Sequence, residues 1–172
     1  MKVLNLYGTQ NSGKTTAAKY VSAFLEMKGY STHIVHNPSH PGEILMSPEF
    51  AFGWTSYEMF KLRQRGDIII TDTPLLINSF YNKTTYLGEN FDKVVFDTYK
   101  IYNNCNFLIL RERELPHEQK SQEDCIGDQI ETFLYEKGVP FLMGCGNNFY
   151  KFIGENTLKW LEDVEDGNRK YN

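Results

Sequence analysis

Short apolar runs alternate along the chain with longer stretches whose apolar positions recur every three to four residues. The run VLNLY at 3–7 predicts a buried strand over about residues 2–7. Ala17, Val21, Phe24 and Leu25 then fall at i, i+4, i+7 and i+8, which predicts a helix over about 14–28 closed by Gly29. STHIVH, 31–36, reads as a second strand. DIIIT, 67–71, reads as a third, and its continuous β-branched run fits a strand buried on both faces. A helix start follows at Pro74, and another helix is expected over 89–103 with Phe91, Val94, Val95 and Tyr99 inward. CNFLIL, 105–110, is the fourth strand. Ile126, Ile130, Phe133 and Leu134 mark a helix over 122–137, VPFLMG at 139–144 a fifth strand, and 155–164 a last helix before a polar tail. Two connections stand out. NPSHPGEILMSPEF, 37–50, is a long loop ahead of a helix at 50–65, and RERELPHEQKS, 111–121, is a charged loop.

Strand and helix alternate throughout, with no repeat, linker or low-complexity tract. The order predicts one α/β domain over residues 1–172: three α/β/α layers around a mostly parallel five-stranded sheet, with right-handed crossovers. Ligands of such sheets bind beyond the C-terminal strand ends. Three polar segments sit at that rim: the loop after the first strand, Asp72 after the third, and Arg111 with Arg113 after the fourth.

The first of these is GTQNSGKTT, 8–16, which matches G-x-x-x-x-G-K-[ST] between a strand and a helix. Glycines let backbone N–H groups turn inward around a phosphate chain, and the helix N-terminus aims its positive end at the same anion. The residues expected to hold a nucleotide are Gly8, Asn11, Ser12, Gly13, Lys14, Thr15 and Thr16. Lys14 supplies a point charge to the outer phosphates, and the Thr15 hydroxyl is a hard oxygen ligand suited to Mg²⁺. ATP and Mg²⁺ are the expected donor and cofactor.

Asp72 follows IIIT, where a carboxylate holds Mg²⁺ through water or accepts a proton from an attacking hydroxyl; it also suits the cap of the following helix. Arg111 and Arg113 are placed to clamp a phosphoryl group in transit, with the loop at about 111–122 as a lid excluding water. The residue after Asp72 is Thr73, not a water-activating Glu; Asp72 to Leu75 has no switch glycine, and Asn82-Lys83-Thr84-Thr85 lacks the Asp that reads guanine. Transfer to a bound acceptor therefore fits better than hydrolysis. Phe50, Phe52, Trp54, Tyr57, Phe80, Tyr81 and Tyr86 cluster in the other half, about 37–60 and beyond, where a flat acceptor can stack or the rings can simply pack.

Charge and cysteine content narrow the partners. Net charge is −4, which disfavours a DNA acceptor without excluding a local basic groove. Cys105, Cys125 and Cys145 form no C-x-x-C pair and read as reduced thiols. The opening residues carry no signal-peptide pattern and no run is long enough to span a membrane, so a cytoplasmic protein is expected, as a monomer or homodimer.

The chain resembles the small phage-type P-loop kinases of the AAA-28 group, relatives of ribosylnicotinamide and deoxynucleoside or nucleotide kinases, some of them thymidylate-kinase-like. VLNLYGTQNSGKTT, LRQRGDIIITDTPLL, LILRERELPHEQKSQEDCIGDQI and EKGVPFLMG carry the likeness over nearly the whole length. The resemblance implies that Lys14 and Thr15 bind phosphate and Mg²⁺, that Asp72 is the metal-side or base carboxylate, that Arg111 and Lys120 are lid cations, and that Gln122 opens the lid helix. It implies the host cytoplasm if the chain is phage-encoded. Two departures bear on the chemistry. The lid's Gly-Arg is Gln119-Lys120 here, which keeps a charge and loses the bidentate fork. Where relatives place an acidic segment facing the acceptor, this chain has His36 and Asn37, with Glu43 further on.

The sequence thus points to an ATP- and Mg²⁺-dependent kinase with a small nucleoside- or nucleotide-like acceptor. A hydroxymethylated pyrimidine in phage DNA is the alternative acceptor, and a regulatory P-loop ATPase without an acceptor is the alternative class.

Overall fold

The computed structural model describes residues 1–36, 47–62, 68–82, 88–111 and 117–169, with the backbone alone in 117–124 and 165–169. Its elements are β1 (Lys2–Tyr7), α1 (Lys14–Glu26), β2 (Thr32–Val35), α2 (Pro48–Leu62), β3 (Ile68–Thr71), α3 (Leu75–Tyr81), α4 (Gly88–Lys100), β4 (Asn103–Leu110), α5 (His117–Glu136), β5 (Leu142–Cys145) and α6 (Asn147–Arg169). The five strands form one sheet in the order β2-β3-β1-β4-β5. Every pairing is parallel.

Alternation along each strand divides the core. Leu4, Leu6, Ile68, Ile70, Phe107 and Ile109 face α1 and α6, where Ala17, Val21, Leu25, Ile153 and Leu161 meet them. Val3, Tyr7, Ile69 and Leu108 face the other way, onto Met59 of α2, Leu75 and Leu76 of α3, Val95 of α4 and Ile130 of α5. Helices therefore cover both faces, as a parallel sheet requires. Because all strands run the same way, the residues after β1, β2, β3 and β4 gather on one rim, with β1 and β3 side by side.

The sequence expectations hold for every element, with differences at the edges. Val94 is 52% exposed, not inward, while Phe91, Val95 and Tyr99 are buried as expected. The stretch 117–121, expected as loop, is the first turn and a half of α5. α6 is far longer than 155–164, and β5 begins at Leu142 rather than at Val139.

Candidate functional site

β1 delivers the chain buried into Gly8, and the loop must then reverse into α1. Gly8 sits at φ 147° and Gly13 at φ 92°, both conformations that a side chain resists. A Cβ on Gly8 would lie 2.5 Å from the Ile109 carbonyl oxygen, and one on Gly13 would overlap the Tyr150 hydroxyl. Asn11 is the one non-glycine residue at positive φ among the described residues, at 59°, an angle asparagine tolerates. α1 has no acidic residue in its first turn, so its positive end is open to an anion.

Lys14 lies back over this loop. Its Nζ donates to the Gly8 carbonyl at 3.0 Å and to the Thr9 carbonyl at 2.5 Å. Burial pushes the Lys14 ammonium below the usual lysine range, and the Asp72 charge works against that shift. The Ser12 hydroxyl is buried with no partner among the described residues. An orphaned hydroxyl, two glycines whose Cβ space is already claimed and an open helix end fit a phosphate chain.

Asp72 is the other half of the site. The Thr15 hydroxyl donates to its Oδ2 at 2.6 Å, and His36 Nδ1 meets the same oxygen at 2.8 Å. Among the described residues, Oδ1 has only the 3.4 Å contact from the Thr73 hydroxyl. The cap reading of Asp72 is not what its side chain does: Pro74 stands at the N-cap of α3 with no side-chain cap. Thr15 and Asp72 are the hard oxygen donors that Mg²⁺ prefers.

A cleft of about 650 Å³ opens over these groups, lined by Gly8, Asn11, Lys14, Thr15 and Asp72. Tyr81, one of the aromatics expected near an acceptor, lines it too, and sequence reasoning missed Gln10, Lys19, Thr73 and Ile77. Lys19 stands four residues after Thr15 on the same helical face, a spacing legible in advance. Thr16 is exposed in the first turn of α1 and is not part of the lining. Arg111 sits half-buried at the end of β4 and likewise does not line the cleft. Arg113, Asn37, Glu43 and Tyr86 lie outside the described residues, as does all of 37–46, while Lys120 and Gln122 are described by their backbone within α5.

Fold and loop together define the class: a three-layer α/β/α protein with a parallel five-stranded sheet and a P-loop motif between β1 and α1. No protein-family model matches the chain, and no curated protein matches it. Among solved structures, APE1195 matches with a TM-score of 0.53 at 14% identity, over 95% of this chain and 95% of that one. A mutant of the Mycobacterium tuberculosis APS kinase matches with a TM-score of 0.42 at 14% identity, over 76% of this chain and 96% of that one. At that identity the first shows the fold alone, and the second scores too low to show even that. Among the described residues, no helix is long and apolar enough to cross a membrane.

Proposed function

We propose that this chain is an ATP- and Mg²⁺-dependent kinase that moves the γ-phosphoryl group of ATP to a nucleoside- or nucleotide-like acceptor. The observation that carries the reading is the 2.6 Å bond between Thr15 Oγ1 and Asp72 Oδ2, beside Lys14 in one cleft. In this reading the loop N–H groups and Lys14 hold the phosphates, and Ser12 gives its orphaned hydroxyl to them. Mg²⁺, when bound, supplies charge neutralisation between the phosphate oxygens. Thr15 and Asp72 would hold it.

The acceptor oxygen bonds to the γ-phosphorus as the bond to the β-phosphate oxygen breaks, leaving ADP. Asp72 is the one carboxylate among the described lining residues, so it is the group available to take the acceptor's proton. Ile77 and Tyr81 give the far wall an apolar and aromatic surface suited to a planar acceptor. Arg111 and Arg113 are proposed as cations that meet the phosphoryl group in transit.

A transfer screen with γ-labelled ATP and Mg²⁺ tests this. The panel holds deoxynucleosides, nucleoside monophosphates, nicotinamide riboside, and duplex DNA with and without hydroxymethyluracil. Label on a small acceptor is the expected result. Label on modified DNA alone would move the acceptor into the polymer, and label released only as free phosphate would make the protein a regulatory ATPase.

A further inference from the structure

The last paired residues of β2 and β3 are Val35 and Thr71, in register with each other. His36 and Asp72 are therefore the next residue on each strand, and the sheet itself brings them together. Their 2.8 Å bond falls on Oδ2, the oxygen that Thr15 also meets. A carboxylate oxygen without a proton only accepts, so in the arrangement proposed below the histidine hydrogen of this bond is on Nδ1.

We propose that His36 is a positioning residue for Asp72: its Nδ1–H, with the Thr15 hydroxyl, fixes Oδ2 and leaves Oδ1 as the oxygen presented to chemistry in the cleft. Three observations carry this. Both short bonds are on one oxygen, while among the described residues Oδ1 has only the 3.4 Å contact with Thr73. The His36 side chain keeps 42% of its surface exposed against 9% for Asp72. An exposed ring can satisfy its nitrogens with water, so the bond serves the buried carboxylate rather than the histidine. The third is location, since both residues line the cleft that holds Lys14 and Thr15. A carboxylate fixed by two donors loses its rotational freedom before substrate arrives, which is the kind of preorganisation that partners of reactive groups supply.

The inference rests on the kinase reading, and the experiment separates the two. His36→Ala, His36→Asn and wild type are compared for kcat, KM for ATP and dependence on Mg²⁺. The asparagine amide reaches the place of Nδ1 and can donate as it does. Loss of the partner is expected to lower kcat by roughly 10- to 100-fold in the alanine variant. KM for ATP should stay within about twofold, and His36→Asn should restore kcat to within about threefold of wild type. ¹⁵N NMR of the imidazole in wild type should report the hydrogen on Nδ1, and Asp72→Asn should change that signal.

An unchanged kcat in active His36→Ala sinks the positioning role alone. So does an asparagine variant as slow as alanine. An alanine variant that works better at low Mg²⁺ would mean that His36 obstructs Asp72 instead of holding it. If wild type moves label to no acceptor, the kinase reading fails and takes this role with it.

Discussion

Lys14 rests on the carbonyls of Gly8 and Thr9, inside the loop it would serve. That geometry ties it to anion binding rather than to the core, so its removal should be felt in chemistry and not in folding. Lys14→Ala is expected to reduce phosphoryl transfer by about 10³-fold or more while circular dichroism stays native. Transfer at wild-type rates would end the phosphate-site assignment. Gly13→Ala is expected to be worse for the structure: it places a side chain at φ 92° and against the Tyr150 hydroxyl of α6. The strain should cost about 1–3 kcal/mol, measured by denaturant unfolding. The cysteines divide by environment. Cys105 is partly buried and its thiol is pushed up to about 12 by burial, while Cys125 and Cys145 are exposed. At pH 8 a thiol of that pKa is ionised in about one molecule in 10⁴, and the thiolate is the reactive form. Two thiols should therefore react with a disulfide reagent in native protein, and the third only after unfolding. Three fast thiols would contradict the burial of Cys105.

At the scale of elements, what the sequence made legible is what hydrophobic period controls. Strands β1, β3 and β4 and the core faces of α1 and α4 follow directly from it, Val94 excepted. Where polar side chains do structural work, the period is silent. The pattern predicts α6 only from 155, yet Phe149, Ile153, Thr157 and Leu161 form one buried stripe with a polar member, and Gly154 lets the Phe24 ring come close. β5 shifted because Val139 packs into the core and the Pro140 carbonyl accepts from Asn106 Nδ2 at 2.9 Å, making this stretch a connection. That bond belongs to a network under the sheet. Asn5 Nδ2 donates to Asn104 Oδ1 at 2.9 Å and to Asn106 Oδ1 at 3.0 Å, and Asn106 Nδ2 also reaches the Tyr99 hydroxyl at 3.0 Å. Single asparagines in strands gave no sign that they would meet. Asn106→Ala takes a partner from two buried groups, Asn5 Nδ2 and the Tyr99 hydroxyl, and from the carbonyl of exposed Pro140. It should cost about 2–4 kcal/mol. Tm should fall by roughly 5–12 °C for a chain of this size. A Tm within a degree of wild type would show that the network is dispensable. The site divides the same way. The loop and Asp72 were legible as motif and strand end, whereas the His36–Asp72 bond needed the β2–β3 register, which no local pattern carries.

For the molecule as a whole, net charge and local charge point in different directions. The chain carries −4 overall, yet the described lining of the cleft sets Lys14 and Lys19 against one carboxylate. A polyanionic duplex meets the whole surface, and a nucleotide meets only the cleft, so the balance favours a small phosphate-bearing donor over bulk DNA affinity. A binding measurement can read this before any acceptor is known. A ligand that binds only the folded state at 100 times its Kd stabilises it by about 2.7 kcal/mol. For a domain of this size that corresponds to a rise in Tm of roughly 5–10 °C. ATP with Mg²⁺ should produce that shift in wild type. The shift should shrink when a chelator removes the metal, because Thr15 and Asp72 then lose the ion they would hold. It should vanish in Lys14→Ala, whose own Tm stays near wild type, since among the described residues the lysine bonds only to the loop. An equal shift in Lys14→Ala would place the nucleotide elsewhere on the molecule. No shift in wild type at millimolar ATP would remove the donor site on which the kinase reading depends.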